Sequence, residues 1–410
     1  MSDLIKLPLD LNTREFHDNR QAHYKWLREK QPVCEASVGI MKVFVLSRHE
    51  DCLNILKDDR FVRDTGDGFP IPVPLPKSIK LMMKSMINTD GDQHRRLRNL
   101  VHKAFTPNQL NLLEVRIERL THDLLKVMES SSIRSARSGQ NELDLMKAYS
   151  LPIPVTVIAE MVGVDPADVP KFASYIDKLT SGFTKLKTLK TMFWDMPKIS
   201  KFVRQLINEK RKHPGDDILT GLIEAQEEGD RLTEDELVAM VFLLIIAGHE
   251  TTVHLISNSV VTLLDHPEAL NRLKAEPDLW ESAVEELLRY SGPVLATKPM
   301  FAIEDVVLHG VTIPKGKAVL PLLGAGNFDP EVFGNPEQFD ITRSSNKHLG
   351  FGKGIHYCLG APLARMETKI ALRNLFERFP DLKLAVPKDH LKRQLMPGWN
   401  RYQKVPVVFG

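Results

Sequence analysis

Cys358 stands in the run Phe351-Gly352-Lys353-Gly354-Ile355-His356-Tyr357-Cys358-Leu359-Gly360, just ahead of a helix-forming stretch that opens at Ala361. Gly352 and Gly354 permit a tight bend. A helix that begins directly after a cysteine aims its amide groups and the positive end of its dipole at the sulfur. Both effects favour thiolate over thiol, and thiolate is the form that binds metal. The ordinary fate of a cysteine is that of a small buried hydrophobe, and Cys34 and Cys52 are read in that way. A dinucleotide-binding loop is a poor competitor here. Gly352-x-Gly354 is followed by Tyr357 where a third glycine is needed, and no strand is evident before it.

A second group with chemical capacity is Ala247-Gly248-His249-Glu250-Thr251-Thr252, set inside an apolar run. An acid and two hydroxyls in such a run need partners or a purpose. One reading is structural: a threonine bonded back to the carbonyl four residues earlier, with Glu250 paired to His254. A zinc-protease reading fails, because the residue four after His249 is Val253 and His254 lies one position further on. A third reading, an oxygen-binding groove, depends on what the cysteine loop is.

That loop, through Leu359-Gly360 and on to Leu363-Ala364-Arg365, resembles the haem-binding signature of the cytochrome P-450 superfamily. The resemblance runs from about Phe16 to the end of the chain. Its AGHETTVHLI and HLGFGKGIHYCLGAPLAR stretches are most similar to those of soluble bacterial members that oxidise polyketides and related metabolites. It implies haem b with Cys358 as the iron ligand, a thiolate that pushes electron density onto iron and favours O–O cleavage. Phe351 and Gly352 would line the cofactor. It also favours the groove reading, with Thr251 hydrogen-bonding bound dioxygen and Glu250 relaying protons from water. Glu286 and Arg289, at i,i+3, would form a structural network with Arg343 of the segment Pro336 to Arg343. His94, Arg98 and His356 match the positions that bind the haem propionates.

One departure stands out. Where the family often has a propionate-binding arginine after the Glu286–Arg289 helix, counting forward from Pro293 reaches Lys298, and counting back from Glu304-Asp305 reaches Met300. Neither is arginine. By position, Leu243, Ile246, Ala247, Pro293, Val294, Leu295 and the Val62–Met86 loop would face the substrate; they are apolar and imply a hydrophobic ligand.

The elements that must position these groups are helical for the most part. Thr233-Glu-Asp-Glu236 is a capping-box pattern that opens a helix ending at Leu264, before Pro267. Helical periodicity dominates from about Asn108 to Leu287. Short strand signals lie at Val43–Ser47, Val306–Leu308 and Val311–Ile313, and a last helix at Ala361–Phe379. The fold expected is mainly α with small sheets: one triangular P-450 domain over residues 1–410, with haem between the Glu250 helix and the Cys358 loop.

The 410 residues carry a net charge of +2, so nothing global points to nucleic acid or a membrane surface. Three widely spaced cysteines form neither a disulfide framework nor a zinc-ligand pattern. The amino terminus lacks the features of a signal peptide, and the apolar run Leu237–Gly248 is too short to span a bilayer. A cytoplasmic monomer is expected, taking electrons from a ferredoxin or flavodoxin and its NAD(P)H reductase. Docking is expected near Arg95, Arg96, Lys103, Lys347 and Lys353. Fatty-acid or terpenoid hydroxylation is the alternative within the family, and a non-catalytic haem gas-binding protein the alternative outside it.

Overall fold

The computed structural model describes residues 9–64, 84–104, 107–137, 142–180, 190–227 and 232–409. They belong to two compact units, one of residues 1–65, 121–150 and 254–410, the other of residues 66–120 and 151–253.

The first unit holds the described strands. A six-stranded sheet runs in the order Leu9–Asp10, Val33–Val38, Met41–Leu46, Ala318–Pro321, Met300–Ala302, Phe61–Val62. Val33–Val38 and Met41–Leu46 pair antiparallel from Val33↔Leu46 to Val38↔Met41. The two-residue turn between them has Gly39 at φ +61°, a conformation that suits glycine in tight hairpins. The predicted signals Val306–Leu308 and Val311–Ile313 form a second hairpin. Its turn residues His309 and Gly310 both have positive φ, 49° and 75°. A third sheet joins Lys383–Leu384, Pro406–Val408 and Leu143–Asp144; the last of these is a strand that the helical periodicity around it conceals. Trp280–Ser291 packs on the C-terminal helix Ala361–Arg378.

The described part of the second unit is helical. Ile218–Glu227 packs on both Gly91–Ala104 and Met196–Lys212. Thr191–Asp195 is a π-helical turn leading into the latter.

The longest apolar helix spans Glu234–Leu264, 31 residues and about 46 Å. Its start is the predicted capping box: Glu236 N–H donates to Thr233 Oγ1 at 3.2 Å, and Thr233 N–H donates to Glu236 Oε2 at 2.8 Å. By length and composition this helix could cross a membrane, but 67% of its most apolar window is buried in the protein itself. Its apolar character suits the large part of its surface that is buried.

Candidate active site

Cys358 Sγ belongs to a loop fixed by backbone geometry. Gly352 and Gly354 adopt φ +66° and +72°, a region that L side chains enter at a cost. A Cβ at Gly354 would collide with the Leu56 carbonyl oxygen. Gly352 N–H donates to Leu349 O at 2.8 Å, and Cys358 N–H returns to Phe351 O at 3.0 Å. Gly360 caps the helix that opens at Ala361, with Pro362 in its first turn, where a missing N–H does no harm. Phe351 packs on Leu255, Val284 and Leu288.

The three thiols differ in setting. Cys34 and Cys52 are buried, at 8% and 0% exposure, while Cys358 is partly accessible. Burial pushes Cys34 up to about 11 and raises Cys52 further, with Asp51 and Asp329 adding to the effect. Both stay protonated at neutral pH. Cys358 is the thiol within reach of a ligand.

Two ion networks brace this side of the unit. Glu286, fully buried, accepts five hydrogen bonds: two from Arg289 at 2.7 and 2.8 Å, and one each from Arg343 Nε at 3.1 Å, Asn346 Nδ2 at 3.0 Å and Asp340 N–H at 2.9 Å. Arg289 in turn donates to Asn327 O at 3.0 Å, Pro336 O at 2.8 Å and Gln338 O at 3.1 Å. The structure thus brings together the three residues that the sequence groups from two separate segments.

The second network escaped the sequence reading. Glu285 accepts from Arg365 Nε at 2.5 Å, Arg365 Nη2 at 2.9 Å and His348 Nε2 at 3.0 Å, while Arg365 stacks on Phe351 at 4.5 Å. Burial opposes ionisation of Glu285, but the hydrogen bonds and charges of Arg365 and His348 outweigh it and bring its pKa to about 2. Glu285 adjoins Glu286 in sequence, and spacing alone does not say which of two neighbouring acids has which partner.

On the long helix, residues Leu237–Met240 and Thr252–Leu263 are buried throughout. Between them Leu243, Ile246, Ala247, Glu250 and Thr251 are exposed or half-buried. Their spacing of three and four residues places them on one face. Among the described residues that face is only partly buried, and it carries three apolar residues followed by an acid and a hydroxyl. Thr251 Oγ1 donates to Ala247 O at 2.9 Å. The back-bond of the structural reading is therefore present. It commits the hydroxyl hydrogen and leaves the lone pairs of Oγ1 to accept.

His249, beside this face, is 1% exposed. Its Nδ1 donates to Ile245 O at 2.7 Å, and burial lowers its pKa from 6.5 to about 4. The unfolded chain binds a proton near 6.5, the folded one only near 4, so the stability His249 confers is complete above pH 6.5 and is lost as pH falls through 4. We expect His249→Gln to reduce the loss of stability between pH 7.5 and 5 by on the order of 2 kcal/mol, measured as denaturant midpoints at the two pH values.

His94 is buried and its Nδ1 donates to Met86 O at 2.8 Å. Arg98, four residues on, is half-buried on the same helix, and His356 is half-buried in the cysteine loop. Lys298 is solvent-accessible, yet protein lies close around its ammonium: desolvation, then the Arg63 charge, lower its pKa to about 8. Val294 bridges to Trp399, Leu295 N–H donates to Gly398 O at 2.8 Å, and Asn400 N–H donates to Pro293 O at 2.8 Å. The turn Met396–Trp399, which the sequence reading missed, therefore positions Val294 and Leu295. Most of the Val62–Met86 loop lies outside the described residues.

Comparison with known proteins follows from this geometry. The sequence matches the family model described as Cytochrome P-450 over residues 6–280 and 278–396. It is 42% identical to cytochrome P-450 CYP107DY1 of Priestia megaterium, over 90% of this chain and 91% of that one. It is 37% identical to a vitamin D(3) 25-hydroxylase of Pseudonocardia autotrophica, over 98% and 96%. Among solved structures, the bacillaene polyketide synthase cytochrome P-450 PksS of Bacillus subtilis 168 superposes with a TM-score of 0.89 at 34% identity, covering 98% of this chain and 99% of that one.

Proposed function

The chain belongs to the cytochrome P-450 family, and we propose that it oxidises a hydrophobic, polyketide-like small molecule with Cys358 as the protein ligand to the iron. It is a monooxygenase, and its cofactor is haem b. A substrate R–H, O2, two electrons and two protons yield R–OH and water. The electrons come from an external redox partner.

The donor set fits the cofactor. Among the described residues no three of His, Cys, Asp and Glu converge as a metal-binding group. Bound haem would supply oxygen activation and transfer of one oxygen atom. Cys358 would hold the iron; His94, Arg98, His356 and Lys298 would meet the carboxylates; and Phe351 and Gly352 would shape the loop.

The observation that carries the reading is the partly accessible face of the long helix among the described residues. Leu243, Ile246 and Ala247 would orient an apolar substrate and exclude water, and Val294 and Leu295 are assigned to the substrate by their position in the sequence. Glu250 would pass protons inward from solvent. Thr251, with its hydrogen held by Ala247 O, would accept a hydrogen bond at Oγ1 and so fix where the proton is delivered.

The partner in this reading is a ferredoxin or flavodoxin with its NAD(P)H reductase, acting on a cytoplasmic monomer. Of the basic residues considered for docking, Arg95 is exposed and pairs with Asp92, and Lys347 is exposed. Lys353 lies 5.6 Å from the Tyr357 ring centroid. Arg96 is already engaged by Glu236 of the capping box, so its substitution would disturb a helix start as well as a surface. The side chain of Lys103 lies outside the described residues.

The substrate class is tested by optical titration of the ferric holoenzyme. Macrolactones and linear polyketides are expected to convert the haem from water-bound to water-free at micromolar concentration. Conversion by fatty acids, terpenoids or secosteroids, with polyketides inert, would overturn the polyketide assignment.

A further inference from the structure

The strand Phe61–Val62 runs antiparallel to Met300–Ala302, with Phe61 opposite Ala302 and Val62 opposite Phe301. Ile303 N–H donates to Arg60 O at 2.9 Å, in the same register. The strand ends at Val62; continued by one residue, the same register would set Arg63 opposite Met300. Directly opposed residues of an antiparallel pair put their side chains on one face of the sheet.

Lys298 lies two residues before Met300, and Pro299 after it holds its backbone extended. Alternation in an extended chain returns Lys298 to the side of Met300. The two cations are near enough that the Arg63 charge acts on Lys298, whose pKa is lowered to about 8, first by desolvation and then by that charge. A guanidinium whose charge reaches an ammonium is a setting that favours an anion, and haem b brings two carboxylates.

We propose that Arg63, reaching across the strand pair, acts with Lys298 to bind a haem propionate, a guanidinium supplied by the neighbouring strand where Met300 has none. This rests on the haem-thiolate reading of Cys358. Arg63 makes the stronger contact, because a guanidinium can meet a carboxylate with two parallel hydrogen bonds and an ammonium cannot. Lys298 adds charge at the accessible side.

The test follows haem rather than turnover. Ferric holoenzyme is mixed with excess apomyoglobin, and the rate of haem transfer is measured for the wild type, Arg63→Met, Arg63→Lys and Lys298→Met. The ferric/ferrous midpoint potential is measured on the same samples. We expect Arg63→Met to lose haem about tenfold faster, the effect of removing one charge-assisted hydrogen bond, and to shift the potential negative, since a less compensated carboxylate favours ferric iron. Arg63→Lys should restore most of both. Lys298→Met, at a solvent-accessible position, should move both in the same direction by less.

Wild-type haem retention and potential in Arg63→Met would overturn the proposal. So would equal losses in Arg63→Lys and Arg63→Met, which would assign Arg63 a packing role. The carbon monoxide difference spectrum of each sample reports thiolate ligation separately: its failure in the wild type would overturn the Cys358 reading, and with it this proposal, whatever the transfer rates.

Discussion

Glu286→Ala is expected to yield little or no haem-loaded protein, and what folds is expected to be destabilised by about 3–5 kcal/mol, the usual consequence of removing one partner of a buried ion pair. The side chains of Glu286 and Arg289 have no exposed surface. Without the carboxylate, Arg289 keeps its bonds to the carbonyls of Asn327, Pro336 and Gln338 but carries an uncompensated charge in a dry site. Arg343 and Asn346 lose an acceptor as well. Glu286→Gln keeps the shape and part of the bonding, and should fall between the two. The measurement is the yield of haem per polypeptide together with the thermal midpoint. Wild-type values for Glu286→Ala would show that the network does not hold the cysteine side of the fold.

Thr251→Ala should fold, bind haem and consume NADPH within about twofold of the wild type, yet form about tenfold less product per NADPH. The two electrons and two protons that would have given R–OH and water leave with O2 as hydrogen peroxide instead. The hydroxyl is the group that matters. Its hydrogen is directed at Ala247 O over 2.9 Å, so Oγ1 is held at a fixed point on the partly accessible face as an acceptor. Alanine removes that acceptor and little else. With Glu250 as the proposed proton relay, Glu250→Gln should differ by slowing oxygen consumption itself. Full coupling in Thr251→Ala would move the role elsewhere. Thr252 is a poor replacement, being 2% exposed within the buried part of the helix.

Much of this was legible because it is local. The capping box, the length of the helix to Leu264, the hairpin at Val306–Ile313 and the glycine loop before Ala361 all follow from residues a few positions apart. The convergence of Glu286 with Arg343, 57 positions later, could be reached through family resemblance but not from spacing. The Glu285–Arg365–His348 network was missed altogether, since an i,i+80 partnership leaves no periodic trace. The two ways of counting to the absent arginine disagreed for a physical reason. The segment Pro293–Pro299 is irregular, and only the pairing of Met300–Ala302 with Phe61–Val62 gives the position a register. That same pairing is what brings Arg63 into view. Short strands such as Leu143–Asp144, and the turn Met396–Trp399 that holds Val294 and Leu295, depend on distant partners and carry no pattern of their own.

The account depends most on thiolate ligation of the iron by Cys358, the accessible member of the three cysteines. Reduced holoenzyme under carbon monoxide reports this directly. The wild type is expected to show the strongly red-shifted Soret band of a thiolate-ligated haem, and Cys358→His to lose it while Cys34→Ala and Cys52→Ala keep it. An unshifted band in freshly purified wild type, or a red-shifted band that survives Cys358→His, would contradict the assignment of Cys358.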